Sequence, residues 1–300
     1  MPLVPFDDRD GQIWFDGAMV PWRDAKMHVL THGLHYASGV FEGERAYAGN
    51  IFKLRAHTDR LIASAKILGF EIPYSADEID AACDQVLQAS GLRDAYIRPI
   101  AYRGSEQLSV AAQQTKIHLA IAVWPWPNLF GADRMKGVRL AMASWKRPHP
   151  ETAPTASKAA GLYMIGTLSK HQAEAEGFND ALMLDWRGHV AEATGANVFF
   201  AMNGELHTPT PDCFLDGITR RTVMSIARRQ QMKVVERTIL PDELPHASEV
   251  FLAGTAAEVT PVRAIGELSY TPGRITETLL GDYEKLVRLS PMEVEISAPI

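Results

Sequence analysis

Two strand-like runs, AYIRPIAYR at 95–103 and KIHLAIAVW at 116–124, run into WPWPNLFGADRM at 124–135. Two prolines, an asparagine and a glycine in so short a span cannot continue either a ladder or a helix. The chain therefore reads as two domains, 1–123 and 136–300, joined by a linker at 124–135. Three hundred residues is also more than a single core normally organises.

Around that break the runs are of mixed type. QIWFDGAMVPW reads as a hairpin turning on Asp16-Gly17. LRAHTDRLIASAKILGF (54–70) carries apolar residues at helical spacing. Ser75 and Glu78 form a capping box for a second helix, with Ile79, Ala82, Val86 and Leu87 on one face and Gly91 at its end. Beyond the break, strands are expected at 137–143, DALMLD, NVFFAM, KVVER and EVFLAG, with a hairpin turn at Asn203-Gly204. Helices are expected at about 161–177 and at 219–231. Helices interrupt the strands without strict alternation, so the class is α+β rather than a doubly wound sheet.

Composition removes several functions. With 46% hydrophobic and 22% charged residues the chain is globular, and its net charge of −6 offers nucleic acid or anionic membrane no general attraction. The basic segment RRTVMSIARRQQMKVVER lacks interleaved aromatics and reads as a solvated helix face. No apolar run approaches membrane-spanning length and the N-terminus carries no signal-peptide core. Cys83 and Cys213 are far apart, with no metal-type spacing of Cys or His, which suits a reducing, cytoplasmic setting.

Five places can carry chemistry, each with a plainer alternative. Lys158 lies among small residues in TASKAAGLY, with Tyr163 five positions on. It is either a surface lysine or a pocket amine, whose desolvation would favour the neutral nucleophile. Glu192, in AEATGANVFF, is either solvated or set against a cationic ring nitrogen. LDGITRRT puts Gly217, Ile218 and Thr219 at a helix start, which is either a plain cap made by Thr219 or an anion site. AGTAAEV gives Gly254, Thr255, Ala256 and Ala257 after a strand, a tight loop or a cradle of N–H groups. In YIRP, Tyr96 and Arg98 face the same way on a strand. They form either an exposed pair or a planar carboxylate clamp.

Taken with HGLHYASGVFEG (32–43), HTDRLIASAKI (57–67), DGITR and GTAAEVTPV, these segments resemble the branched-chain amino-acid aminotransferases of the fold-type IV group, in order and spacing, from about 12 to 268. The resemblance implies a D-amino-acid-aminotransferase-like fold, with a small N-terminal α/β domain and a larger C-terminal domain around a barrel-like β core. It implies pyridoxal 5'-phosphate (PLP) as cofactor, with Lys158 holding it covalently and shuttling the proton, and Glu192 on its ring nitrogen. Tyr163 would meet the ring oxygen and Leu215 the ring face. Arg60, Gly217, Ile218, Thr219 and Thr255 would hold the phosphate.

For the substrate it implies Tyr96, Thr255 and Ala256 on the α-carboxylate, with Arg98 on the side-chain carboxylate of glutamate. Tyr36 would come from a second subunit, and Phe41, Tyr163 and Trp126 would wall the apolar pocket. The implied reaction is ping-pong Schiff-base transamination of leucine, isoleucine or valine with 2-oxoglutarate, in a homodimer or larger assembly such as a hexamer. A D-amino-acid or (R)-amine aminotransferase, or an aminodeoxychorismate lyase, shares the fold. GSEQLSVAAQQ (104–114), Ala196, Leu129 and Glu44 depart from the family pattern, and the departures bear on substrate range.

Overall fold

Asp16 and Gly17 both take positive φ (49° and 95°) and close the hairpin of Gln12–Phe15 with Ala18–Pro21. This computed structural model describes residues 4–126 and 131–299. The linker expected at 124–135 is thus covered only in part. Trp124 and Pro125 complete the strand Ile117–Pro125, Gly131–Lys136 is a 3-10 turn, and Leu129 lies outside the described residues.

The chain falls into two units. One is the described part of Met1–Pro127 together with Ser157–Gly161. Its sheet has seven strands among the described residues, all pairs antiparallel, with Ala95–Arg103 and Ile117–Pro125 at the centre. Two helices, Leu54–Ile67 and Ala76–Ser90, supply Leu61, Ala65, Ile79, Ala82, Val86 and Leu87 to a core shared with Ile97, Leu119 and Ile121 of the sheet. Burying each of the larger aliphatics contributes about 1.5–3 kcal/mol. The second helix is set as its sequence requires: Ser75 Oγ accepts from the Glu78 N–H, Glu78 answers the Ser75 N–H, and Gly91 takes the left-handed conformation (φ 67°) at the end.

Glu44 departs from the family pattern at a buried place. Along Glu44–Tyr47 alternate residues face opposite ways, so when Arg45 lies over the Tyr47 and Trp126 rings, Glu44 faces the helices. It is fully buried, both carboxyl oxygens lack a hydrogen-bond partner, and the Cys83 thiol faces it. It therefore bears on the core, not on the substrate. Burial above all, with the charges of Glu42 and Asp80, pushes its carboxyl well above the ordinary 4.5, against a smaller opposing pull from Arg60 and Cys83. In the unfolded chain the group ionises near 4.5, whereas in the fold it holds its proton to higher pH, so its presence costs stability progressively as pH rises above that value. Glu44→Ile should raise thermal stability at pH 8 by roughly 2 kcal/mol, with the gain shrinking towards pH 4.5. A variant equally destabilised at both pH values in thermal melts would contradict this.

The second unit takes the remaining described residues, from 131 to Ala156 and from Leu162 onward. Its sheet has nine strands among the described residues and curls into a half-barrel. It is mixed. Val138–Met142 runs parallel to both Asp180–Leu184 and Glu258–Ile265, and Glu205–Pro209 runs parallel to Val234–Arg237. Parallel neighbours need a crossover, and the helices Met164–Ala175 and Ile218–Arg229 supply two of them. Asn203 and Gly204 turn the Asn197–Met202 hairpin at φ 53° and 77°. Helices at Arg274–Leu286 and Pro291–Ser297 end the chain. The fold is α+β, of the two-domain type that the resemblance implied.

Candidate active site

Lys158 is neither loose nor on a helix. Its backbone N–H donates to Ser64 Oγ (3.0 Å), its carbonyl accepts from the Phe41 N–H (3.2 Å), and Ser157 Oγ donates to the Ser64 carbonyl (3.0 Å). Val40 and Ala159 form an isolated bridge beside it. These bonds explain the small residues of TASKAAG: a backbone stitched to a helix and a strand leaves no room for bulk. The half-buried amine sits 5.0 Å from the centroid of the Phe41 ring.

Phe41 is also covered by Arg98, whose guanidinium carbon lies 4.7 Å from the ring centroid. Arg98 Nη2 donates to Tyr96 Oη (3.2 Å), so the pair on Ala95–Arg103 acts together, as strand alternation requires. Arg98 Nε is buried without a hydrogen-bond partner. Tyr96 packs against Trp124 and Trp126 at 5.1 and 4.7 Å. A Cβ on Gly43 would stand 1.9 Å from Tyr96 Oη, so only glycine admits the phenol where it lies. Tyr36 is 45% exposed at the end of His32–Tyr36, and among the described residues its ring stacks only on His32.

Arg60 is aimed by a neighbour that local sequence patterns do not single out. Glu42 accepts from its Nε (2.6 Å) and Nη2 (2.8 Å), and from His57 Nδ1 (2.7 Å). His57 and Arg60 lie three apart on one helix face, so a single buried carboxylate reaches both. Burial by itself pushes the Glu42 carboxyl up, yet Arg60, by charge and hydrogen bond, and His57 carry it well below the usual carboxylate range. Burial pushes the His57 ring down against the opposing pull of Glu42, with Arg60 and Lys158 adding to the descent. The cluster thus holds a guanidinium in a fixed attitude.

The other unit carries the remaining predicted residues. Glu192, on Val190–Ala193, is 6% exposed. Its Oε1 lies 2.5 Å from Arg147 Nη2, and Oε2 accepts from Asn197 Nδ2 (3.2 Å). Asn197 Nδ2 also donates to the Leu215 carbonyl (3.1 Å), tying that loop to the acid. A Cβ on Gly217 would come 2.2 Å from Asn197 Oδ1, which is why a glycine precedes the helix. The expectation that Thr219 caps Ile218–Arg229 is corrected: Gly217 is the N-cap residue, with no side-chain cap, and Thr219 is buried one residue into the helix. The N–H groups of that first turn are consequently left for another acceptor. Tyr163 stands half-buried just before Met164–Ala175, and Thr255 and Ala256 form the half-buried turn between Glu249–Gly254 and Glu258–Ile265. Ala196 belongs to the core of this unit, packed against Gly254.

Such an inventory holds an amine on an immobilised turn, a buried carboxylate, an aimed guanidinium and an uncapped helix start. Each of these groups is of a kind that one part of an aldehyde-bearing aromatic phosphate calls for. A profile of the family described as "Amino-transferase class IV" matches residues 39–265. The chain belongs to the class IV aminotransferases. Among similar proteins, the branched-chain-amino-acid aminotransferase of Pseudomonas aeruginosa is 43% identical over 288 residues, 93% of this chain and 94% of that one. A branched-chain aminotransferase structure from Thermoproteus uzoniensis, with norvaline, is 37% identical at a TM-score of 0.91, covering 96% of this chain and 98% of the other. A T.th. branched-chain amino acid aminotransferase complexed with N-(5'-phosphopyridoxyl)-L-glutamate gives the same identity, TM-score and coverage.

In this class IV aminotransferase, Glu42, Gly43, His57, Ser64, Arg147 and Asn197 all contact predicted site residues, yet sequence reasoning did not single them out. Two had a signal: the His57 to Arg60 spacing, and the glycine two residues after Phe41. Arg147 and Asn197 had none beyond their residue types.

Proposed function

We propose that this chain moves the amino group of L-leucine, L-isoleucine or L-valine to 2-oxoglutarate, with PLP held by Lys158. The observation that carries it is the Phe41 ring lying under both Arg98 and Lys158, within the aromatic wall of Tyr96 and Trp126. One pocket must accept both an apolar side chain and the carboxylate of glutamate. An apolar wall with a single folded-back guanidinium does both, since Arg98 rests on Phe41 and Tyr96 until a carboxylate calls it. The names of the relatives support the branched-chain assignment, and the phosphopyridoxyl-glutamate complex supports both cofactor and co-substrate.

When bound, PLP supplies an aldehyde that condenses with amines and a ring that withdraws electrons. The chain does the rest. The Lys158 amine would carry the proton from the substrate α-carbon. Glu192 would accept a hydrogen bond from the ring nitrogen, Tyr163 would meet the ring oxygen, and Leu215 would pack on the ring. Arg60 would neutralise the phosphate, and Gly217, Ile218, Thr219 and Thr255 would hold it by hydrogen bonds at the helix start and the turn. Tyr96 and the N–H groups of Thr255 and Ala256 orient the substrate α-carboxylate.

Purified protein given L-leucine or L-glutamate alone should lose its visible cofactor band, and D-alanine or (R)-1-phenylethylamine should not discharge it. Turnover of D-alanine without L-leucine would reassign the enzyme. Gly43→Ala, which forces the Tyr96 phenol aside, should lower kcat/KM for L-leucine by roughly 10- to 100-fold while leaving the absorbance of the bound cofactor unchanged.

The surface supports self-association. Val29, Leu30, Leu34 and Tyr36 are 70%, 45%, 59% and 45% exposed within one short segment, an apolar face suited to a second copy of the chain. That face supports a homodimer as the least assembly and Tyr36 as a residue lent across it, which light scattering would check. Among the described residues no helix is long and apolar enough to cross a membrane. The free, buried Cys83 and Cys213 support a reducing, cytoplasmic setting.

A further inference from the structure

Arg147 is 7% exposed, and its guanidinium is poorly provided for. Nη2 meets Glu192 Oε1 at 2.5 Å, Nη1 reaches the Leu162 carbonyl only at 3.4 Å, and Nε is buried with no hydrogen-bond partner. Its backbone, by contrast, is fixed, because the N–H donates to the Leu184 carbonyl (2.8 Å) and the residue bridges to Asp185. A buried guanidinium held this way is expensive, and its one strong ionic contact is the acid that faces the cofactor ring. Nothing in the cofactor's phosphate or in the substrate explains a second cation at that place.

We infer that Arg147 is a positioning residue that sets how strongly Glu192 attracts a proton on the cofactor's ring nitrogen. The inference rests on the reading that Glu192 faces that nitrogen. A carboxylate can accept about four hydrogen bonds, so Glu192 can keep Arg147 and Asn197 while accepting one more from the ring. Its charge, however, is already matched. The Arg147–Glu192 pair is neutral as a unit, and the ring nitrogen meets a shared carboxylate rather than an unshared one. The geometry therefore moderates the electron sink. It holds the acid in place through Arg147 and Asn197 while keeping the nitrogen from becoming as firmly cationic as a lone carboxylate would make it.

The test uses the full chain stripped of cofactor and reloaded. Affinities for PLP and for 1-deaza-PLP, which has carbon in place of the ring nitrogen, are measured by fluorescence quenching. Their ratio isolates what the nitrogen contributes. The wild-type chain should prefer PLP. In Arg147→Met the preference should grow by about tenfold or more, the effect of one unit charge removed at hydrogen-bond range under an effective dielectric near 20. Arg147→Lys should restore a ratio near that of wild type. The visible absorbance of bound PLP should also titrate at higher pH in Arg147→Met than in wild type. If Arg147→Met does not fold, Arg147→Gln is read by the same ratio.

Parallel weakening for both cofactors, with an unchanged ratio, would make Arg147 a structural prop and overturn the inference. So would a ratio that shrinks. A wild-type chain indifferent to the ring nitrogen would instead overturn the reading of Glu192 beneath it.

Discussion

Lys158→Ala should abolish transfer from L-leucine to 2-oxoglutarate, with turnover down by at least about 10⁴-fold. The size follows from two tasks lost together, the covalent hold on the cofactor and the carriage of the proton. The variant is also a clean one. Ser64 and Phe41 hydrogen-bond the backbone at this position, and those bonds do not need the amine, so the turn should persist when it is gone. Ala156, Ala159 and Ala160 already surround the site, and one more methyl meets no crowding. Three readouts separate chemistry from folding. Thermal melting should change little, because the amine end of a half-buried lysine adds little to the packing that fixes this turn. Borohydride should fix PLP to the wild-type chain and leave it removable from the variant on denaturation. An added small amine should recover part of the proton transfer. Undiminished turnover would remove Lys158 from the chemistry, and with it the proposed mechanism.

Where a feature is local, it was legible in the sequence. The Ser75/Glu78 box, the Asp16-Gly17 and Asn203-Gly204 turns and the strand carrying Tyr96 and Arg98 each depend on residues a few positions apart, and each formed as expected. Long-range partners were not legible. Glu42 reaches Arg60 from eighteen residues away, and Arg147 reaches Glu192 from forty-five, distances over which no spacing rule operates. Thr219 shows a subtler limit. Threonine is a good cap by type, but Gly217 occupies the N-cap because Asn197 Oδ1 leaves no space for a side chain there. Tertiary contact overrode local preference. The burial of Glu44 follows from strand alternation, since adjacent residues face opposite ways and Arg45 takes the other face. The final helix is set by a local box of the same kind, Ser290 with Glu293, and by Pro291 in its first turn.

Arg98→Leu should divide the two half-reactions. Transfer from L-glutamate, and the return from 2-oxoglutarate, should fall by about 10³-fold, while the L-leucine half-reaction should stay within roughly tenfold of wild type. The asymmetry comes from how the guanidinium is kept. Arg98 lies over Phe41 and Tyr96 and donates one hydrogen bond to the Tyr96 phenol, while its Nε is buried without a partner. A planar cation with donors in hand can grip a carboxylate bidentately, and a leucine at the same place offers none. For an apolar substrate the same leucine keeps the surface over Phe41 covered. What it removes is a buried polar group that an aliphatic side chain never used. The residual loss for L-leucine comes from Tyr96, whose phenol forfeits its donor and shifts. Pre-steady-state rates with each amino acid, measured from the cofactor absorbance, read the two halves separately. An equal loss for both substrates would mean that Arg98 orders the pocket as a whole, and the double specificity would then need another anchor.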